Sequence, residues 1–380
     1  MIKNGIDRID EYSSLFQGKR LGLITTPTGL SASGKTTIDI LHKKYGLSAL
    51  FAPEHGVRGS CEAGALVDTY KDEETGITVY SLYRKDSKRL TEEMLSQVDA
   101  VVYDIQDVGA RFYTFIYTML YALEDCAKAG KPFIILDRPN PLGGKTVEGN
   151  ILREKCKSFV GAYPLCMRYG LTVGEFAVMA NNEEKLGCDL HVIPCEGWAR
   201  GMQFPDYGTV WVPPSPNIPH FVSALIYSGI CLLEATNISE GRGTATPFET
   251  IGAPFINAQR LADEMNGRNL PGVWFRPAYF TPAMSKHQGK QCAGIQIHIT
   301  DRRAVRPVDI GVNLVCLLRR EYEEFKFVKS QDGDTFKIDS LSGDTIFRGS
   351  NLTAKEILEE YHKESSEFIE RTKPYQLYGE

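Results

Sequence analysis

Five short apolar runs recur between residues 20 and 137: RLGLIT (20–25), LSALFA (47–52), VYSL (79–82), AVVYDI (100–105) and PFIILD (132–137). They are apolar at successive rather than alternate positions, so both faces of each predicted strand must be covered. Helical patterns fill the gaps. Residues 36–45 put Ile38, Ile40 and Leu41 on one side, and residues 112–129 form a longer amphipathic stretch ended by Gly130. Buried strands alternating with helices predict an α/β fold, with a Rossmann-like parallel sheet covered on both faces.

The segment VPPSPNIP at residues 212–219 breaks this pattern, because four prolines in eight residues exclude a helix interior or a central strand. Beyond it come a predicted helix over residues 222–234 and an alternating strand, GIQIHIT, at 294–300. A charged helix then runs from Thr353 to about residue 371, opened by a capping box of Thr353 and Glu356. We therefore expect a Rossmann-like catalytic domain over residues 1–220 and a smaller α+β domain over residues 221–380.

Composition narrows the function classes. With 43 Lys+Arg against 48 Asp+Glu, the net charge of −5 leaves no general basic surface for nucleic acid. The longest mostly apolar stretch, residues 222–235, falls short of the roughly 20 residues a membrane-spanning helix needs. Nine cysteines between Cys61 and Cys316 include no C-x-x-C pair. They are expected to be small buried hydrophobes, not a zinc ribbon, a redox motif or a disulfide scaffold. The opening Met1-Ile2-Lys3-Asn4 lacks the apolar core of a secretory signal.

Residues 29–36 (GLSASGKT) satisfy the phosphate-loop pattern G-x-x-x-x-G-K-[ST] between a strand and a helix. The strand ending at Asp104 would suit a magnesium-binding partner. Against a nucleotide site, Thr26, Pro27 and Thr28 separate the strand from Gly29, where a phosphate loop turns directly off its strand. A Gly/Ser turn that caps a helix has the same letters.

Pro53-Glu54-His55-Gly56 closes the second strand, with Arg58 close behind. Asp104, Gln106, Asp107, Arg111 and Tyr113 crowd the end of the fourth, and Asp137, Arg138 and Asn140 the end of the fifth. Carboxyl ends of strands form the ligand crevice of an open α/β sheet, so three polar strand ends converge on one rim. Arg168, Asn217, Glu240 and Arg242 join the candidates from later segments. Neither H-E-x-x-H nor G-x-S-x-G occurs, against a zinc protease or a serine hydrolase.

Carboxylates, amides and a phenol hold hydroxyls, and Trp198 and Trp211 offer aromatic faces for a pyranose ring, so the set suits a sugar. Glycoside hydrolysis needs a carboxylic acid to protonate the leaving oxygen and usually a second carboxylate. Glu54 is assigned as the acid, with Asp104, Asp107, Asp137 and Glu240 as candidate partners. The arginines Arg58, Arg111, Arg138, Arg168 and Arg242 suggest an anionic group on the substrate.

The blocks GKRLGLIT, FAPEHGVRG, YDIQDVGARFYT, LDRPNPLGG, VEGNIL, PSPNIP, NISEGRGTATPFETIGAPF and SKHQGKQCAGIQIHITDR run through nearly the whole chain, from Gly5 to Tyr378. Together they closely resemble the exo-β-N-acetylmuramidase (NamZ) family of bacterial peptidoglycan hexosaminidases. The resemblance implies a catalytic cleft between a Rossmann-like N-terminal domain and a smaller C-terminal one. It implies release of N-acetylmuramic acid from non-reducing ends of muropeptides or disaccharides, outside the cytoplasm and without a cofactor. The family's catalytic glutamate, in its P-E-H-G motif, falls on Glu54. Asp104 and Tyr113 are expected beside it as catalytic groups. His55, Arg58, Gln106, Asp107, Arg111, Asp137, Arg138, Asn140, Arg168, Asn217, Glu240 and Arg242 are expected to bind substrate, and the lactyl carboxylate of muramic acid would account for the arginines. Two rivals stay open: a nucleotide-dependent enzyme using residues 29–36, and a non-catalytic muropeptide binder. The identity of the second catalytic group (a carboxylate, Tyr113 or the substrate's acetamido group) and the oligomeric state are open as well.

Overall fold

The structure is a computed structural model that describes residues 2–59, 69–330, 333, 335–349 and 352–380. The first half contains β1 (Leu21–Thr25), α1 (Thr37–Lys44), β2 (Leu47–Ala52), β3 (Tyr70–Lys71), β4 (Thr78–Ser81), α2 (Glu92–Ser96) and β5 (Ala100–Asp104). It continues with α3 (Phe115–Ala129), β6 (Phe133–Leu136), α4 (Val173–Glu183) and β7 (Leu190–Ile193). The sheet order is β3-β4-β2-β1-β5-β6-β7. Every pairing is parallel except that of the two-residue edge strand β3 with β4. β1, β5 and β6 are buried at every position, which their unbroken apolar runs require. The chain winds outward from β1 through β2 to β4, then restarts at β5 and winds the other way. The loops after β1 and β5 therefore diverge and open a crevice at the carboxyl edge.

The α3 helix begins at Phe115, three residues later than its sequence pattern suggests. Ala110 forms a bridge with Arg168, and the Arg111 amide donates to the Met167 carbonyl at 2.8 Å. These cross-chain bonds hold residues 110–111 extended. At the other end Gly130 adopts φ 62°, the left-handed cap its position foretells.

The second half contains α5 (Phe221–Ile230), β8 (Thr250–Ala253), α6 (Ala258–Asn266), β9 (Val273–Phe280), β10 (Cys292–Ile299), α7 (Pro307–Glu321), α8 (Lys337–Ser342), α9 (Ile346–Gly349) and α10 (Ala354–Thr372). Its small antiparallel sheet has the order β8-β10-β9. The expected capping box opens α10: Thr353 Oγ1 accepts from the Glu356 amide, and Glu356 Oε2 accepts from the Thr353 amide at 2.8 Å.

One apolar cluster runs without a break from Phe51 and Val101, under α3 and α4, to α5, α7 and α10. A second cluster, with Leu23, Ile38, Leu50 and Ile134, fills the opposite face of the large sheet. The C-terminal segment returns to the first half. Arg371 pairs with Glu183, Arg153 with Glu364, and the Tyr378 hydroxyl donates to Asp137 at 2.5 Å. Eight cysteines are free thiols, seven buried and Cys316 half-buried; Cys61 lies outside the described residues.

Candidate active site

β2 delivers the chain to Pro53 and Glu54, and the next two residues are both left-handed, His55 at φ 73° and Gly56 at φ 76°. A non-glycine residue in that conformation costs about 1–2 kcal/mol, so the fold holds His55 there against its preference. Its imidazole is buried, edge-on to Phe115 at 6.4 Å. Further along, a Cβ on Gly59 would sit 2.6 Å from the Pro27 ring, so only glycine lets this loop lie on the one after β1.

The Glu54 carboxylate accepts a hydrogen bond from Thr114 Oγ1 at 2.8 Å. Thr114 immediately precedes the 15-residue helix α3, whose N-terminal dipole favours negative charge at this spot. Glu54 stands close enough to Tyr83, Lys88 and Tyr113 for its charge to act on all three. Tyr113 is buried, edge-on to Phe115 at 5.0 Å and to Tyr227 of α5 at 6.0 Å, with Ser215 of the proline-rich loop beside its hydroxyl. Burial drives its pKa far above the ordinary phenol range, so Tyr113 stands there as a neutral phenol.

Asp107 lies beside Tyr113 and is nearly inaccessible. One carboxylate oxygen accepts from the Gly109 amide at 2.6 Å and from the Tyr169 hydroxyl, while Oδ1 has no partner among the described residues. Burial raises its pKa to about 7, against the pull of Tyr169 and two backbone amides. It can hold or release a proton near neutrality.

Other expected site residues are placed differently. Asp104 is fully buried, with its carboxylate consumed by Arg138 (2.9 Å to Nη2) and the Thr37 hydroxyl. Asp137 accepts from Thr172, the Gly174 amide and Tyr378, beneath the rim. Glu240 is buried between Arg242 at 3.1 Å and Lys286 at 2.9 Å. Asp104 and Glu240 are thus ion-paired, while Asp137 is held by three neutral donors and burial raises its pKa to about 6.

The five arginines, expected as anion receptors, each have partners within the fold. Arg58 grips Asp72 with two bonds of 2.9 Å. Arg111, wholly buried, donates to the carbonyls of Asn150, Leu165, Leu341 and Ser342. Arg138 pairs with Asp104, Arg168 with Glu148 at 2.7 Å, and Arg242 with Glu234 at 2.8 Å as well as Glu240. The Asn140 amide is spent on Leu171 and Leu142, while Asn217 sits half-exposed on a turn. Trp198 is buried against Tyr378 at 5.0 Å and presents no face to a sugar. Trp211 and Gln106 do line a crevice of about 240 Å³, together with Thr28, Arg138 and Tyr207. A larger depression of about 830 Å³ between α7 and α10 touches none of the candidate residues.

Residues 29–36 do not form a phosphate cradle. The amides of Gly29, Leu30, Ser31 and Gly34 donate to carbonyls within residues 26–35, Ala32 donates to Asp7 at 2.7 Å, and Lys35 donates to Ser31 Oγ. A phosphate loop needs such amides free and convergent. Thr36 instead caps α1 by accepting from the Asp39 amide at 3.0 Å, so the loop is a Gly/Ser turn.

Lys88, Tyr83 and Thr114 carry no motif of their own in the sequence. Lys88 lies in the run RKDSKR (84–89), which looks like a solvated surface, and Thr114 falls inside the helix expected over residues 112–129, at the end of the block YDIQDVGARFYT.

A Rossmann-like sheet closed by a second unit, with a strand-end carboxylate held at a helix N-terminus beside a neutral phenol, defines an α/β enzyme of the acid–base type. The chain belongs to the exo-β-N-acetylmuramidase NamZ family, whose N-terminal model matches residues 21–222 and whose C-terminal model matches residues 225–378. It is 45% identical over 384 aligned residues to the peptidoglycan β-N-acetylmuramidase NamZ of Bacillus subtilis strain 168, covering 99% of this chain and 91% of the relative. Among solved structures, a DUF1343 family protein of Bacteroides fragilis NCTC 9343 superimposes with a TM-score of 0.89 at 37% identity, covering 99% of both chains. A second DUF1343 protein of that organism gives a TM-score of 0.75 at 28% identity, covering 100% of this chain and 99% of the other.

Proposed function

We propose that this protein is an exo-acting glycosidase that releases N-acetylmuramic acid from the non-reducing end of peptidoglycan fragments, with Glu54 as general acid. The observation that carries the assignment of Glu54 is its placement: a strand-end carboxyl group on a strained turn, bonded to Thr114 at the start of α3. When Glu54 protonates the glycosidic oxygen it becomes an anion, and the Thr114 hydroxyl and the helix dipole stabilise that anion as the leaving sugar departs. Tyr113, kept neutral by burial, donates to a substrate oxygen. With Asp104, Asp137 and Glu240 committed to other partners, Asp107 and the substrate's own acetamido group are the two candidates to assist attack at the anomeric carbon.

The substrates are muropeptides or the disaccharides derived from them, and the site of action is the cell-wall compartment, where peptidoglycan lies. No described helix is long and apolar enough to cross a membrane. The test is hydrolysis of a chromogenic N-acetylmuramic acid glycoside beside the matching N-acetylglucosamine glycoside. The wild type is expected to cleave the first, and Glu54→Gln to lose about 10²- to 10⁴-fold in kcat. Wild-type turnover by that variant would remove Glu54 from the role, and binding of muropeptides without any product would leave a binding protein.

A further inference from the structure

An enzyme that takes muramic acid and refuses glucosamine must read the 3-O-lactyl group, the chemical difference between the two sugars. That group ends in a carboxylate and sits two ring carbons from the anomeric centre. Its receptor must therefore be a cation near the catalytic acid, but not one neutralised by it. The five arginines of the motif blocks all have carboxylate or carbonyl partners.

Lys88 meets the requirement. It is half-buried and pairs with no carboxylate among the described residues. The charges of Glu54 and Asp86 both act on it, and that of Arg84 opposes them. An ammonium has three N–H donors. One goes to the Arg84 carbonyl at 2.6 Å, and the nitrogen lies 3.5 Å from the centre of the Tyr83 ring, a cation–π contact that fixes the head of a flexible side chain. A donor is left over. Phe159 stands beside Tyr83, with ring centres 5.9 Å apart, and supplies an apolar wall suited to the lactyl methyl group.

We propose that Lys88, braced against Tyr83, binds the lactyl carboxylate of the muramic acid ring and so sets the preference for muramic acid over glucosamine ends. This rests on the glycosidase reading and adds the group that selects the sugar. Lys88→Met removes the charge at similar bulk, Lys88→Gln provides a second neutral variant should the first fail to fold, and Lys88→Arg restores a cation. Melting temperatures report whether each variant folds. In the neutral variants, KM for the muramic acid glycoside is expected to rise roughly 10- to 100-fold, the loss of one charge-assisted hydrogen bond. The change in kcat should stay within about threefold, since the contact is made in ground and transition states alike. The preference for the muramic acid glycoside over the glucosamine glycoside should shrink by a similar factor, and Lys88→Arg should recover most of it. An unchanged KM, or an equal loss on both glycosides, would overturn the proposal. A second readout separates it from the reading it rests on: calorimetric binding of free N-acetylmuramic acid and free N-acetylglucosamine to Glu54→Gln, with and without Lys88→Met. A wild type that cleaves neither glycoside defeats the glycosidase reading, and the binding contrast still decides the role of Lys88.

Discussion

At the scale of single residues, burial sets the chemistry. Asp107 has a folded-state pKa of about 7 against an ordinary 3.8, caused first by its removal from water. Between those values the native protein holds a proton that the unfolded chain has released. Its stabilising contribution is therefore complete below about pH 4 and is lost as pH rises through about 7; three pKa units amount to no more than about 4 kcal/mol. Asp107→Asn should flatten this dependence. Denaturation midpoints at about pH 5 and about pH 8 should differ more in the wild type than in the variant, and equal differences would contradict the assignment. Glu54 could be found from its motif because a Glu between Pro and His-Gly at a strand end is a local pattern. The arginines could not be sorted that way. Arg58 finds Asp72 at a separation of 14 residues, Arg138 finds Asp104 at 34, and Arg111 reaches Ser342 at 231.

At the scale of elements, apolar period placed six of the ten described strands and four of the ten described α-helices to within a few residues, since strand burial and helix caps act along the chain. The elements β7, β8, β9, α4, α6 and α7 were not anticipated. The shortfall at α3 arises where cross-chain bonds override a helical pattern. The α5–α7 contact is a further feature that periodicity does not display. A Cβ on Gly229 would lie 1.8 Å from the Pro307 carbonyl oxygen, and one on Gly311 would lie 2.3 Å from that of Gly229. The two helices thus touch backbone to backbone. Gly229→Ala must push them apart, and overpacking of this kind should lower stability by about 1–3 kcal/mol or more. A urea midpoint shifted downward at constant slope would show it; an unshifted midpoint would mean that the contact yields freely.

At the scale of the whole molecule, the two halves share one apolar cluster and several buried charges. Glu148 of the first half accepts from the Val308 amide at 3.1 Å, and Arg111 depends on the carbonyls of Leu341 and Ser342. Buried ionic groups that lose their partners cost several kcal/mol each. Calorimetric unfolding should therefore show one transition, and a fragment of residues 1–222 should lack a cooperative one. Two resolved transitions, or a well-folded fragment, would show that the halves are energetically separate. The buried strands of a parallel sheet and the strand-end position of Glu54 follow from residues alone, because apolarity, period and turn chemistry operate over stretches of about ten to twenty residues. The strand order is set by the tertiary fold. Which charges are cancelled and which stay available is decided only by the tertiary structure. Ion pairing and desolvation depend on groups that folding brings together from distant parts of the chain, as the partners of Arg58, Arg138 and Arg111 are.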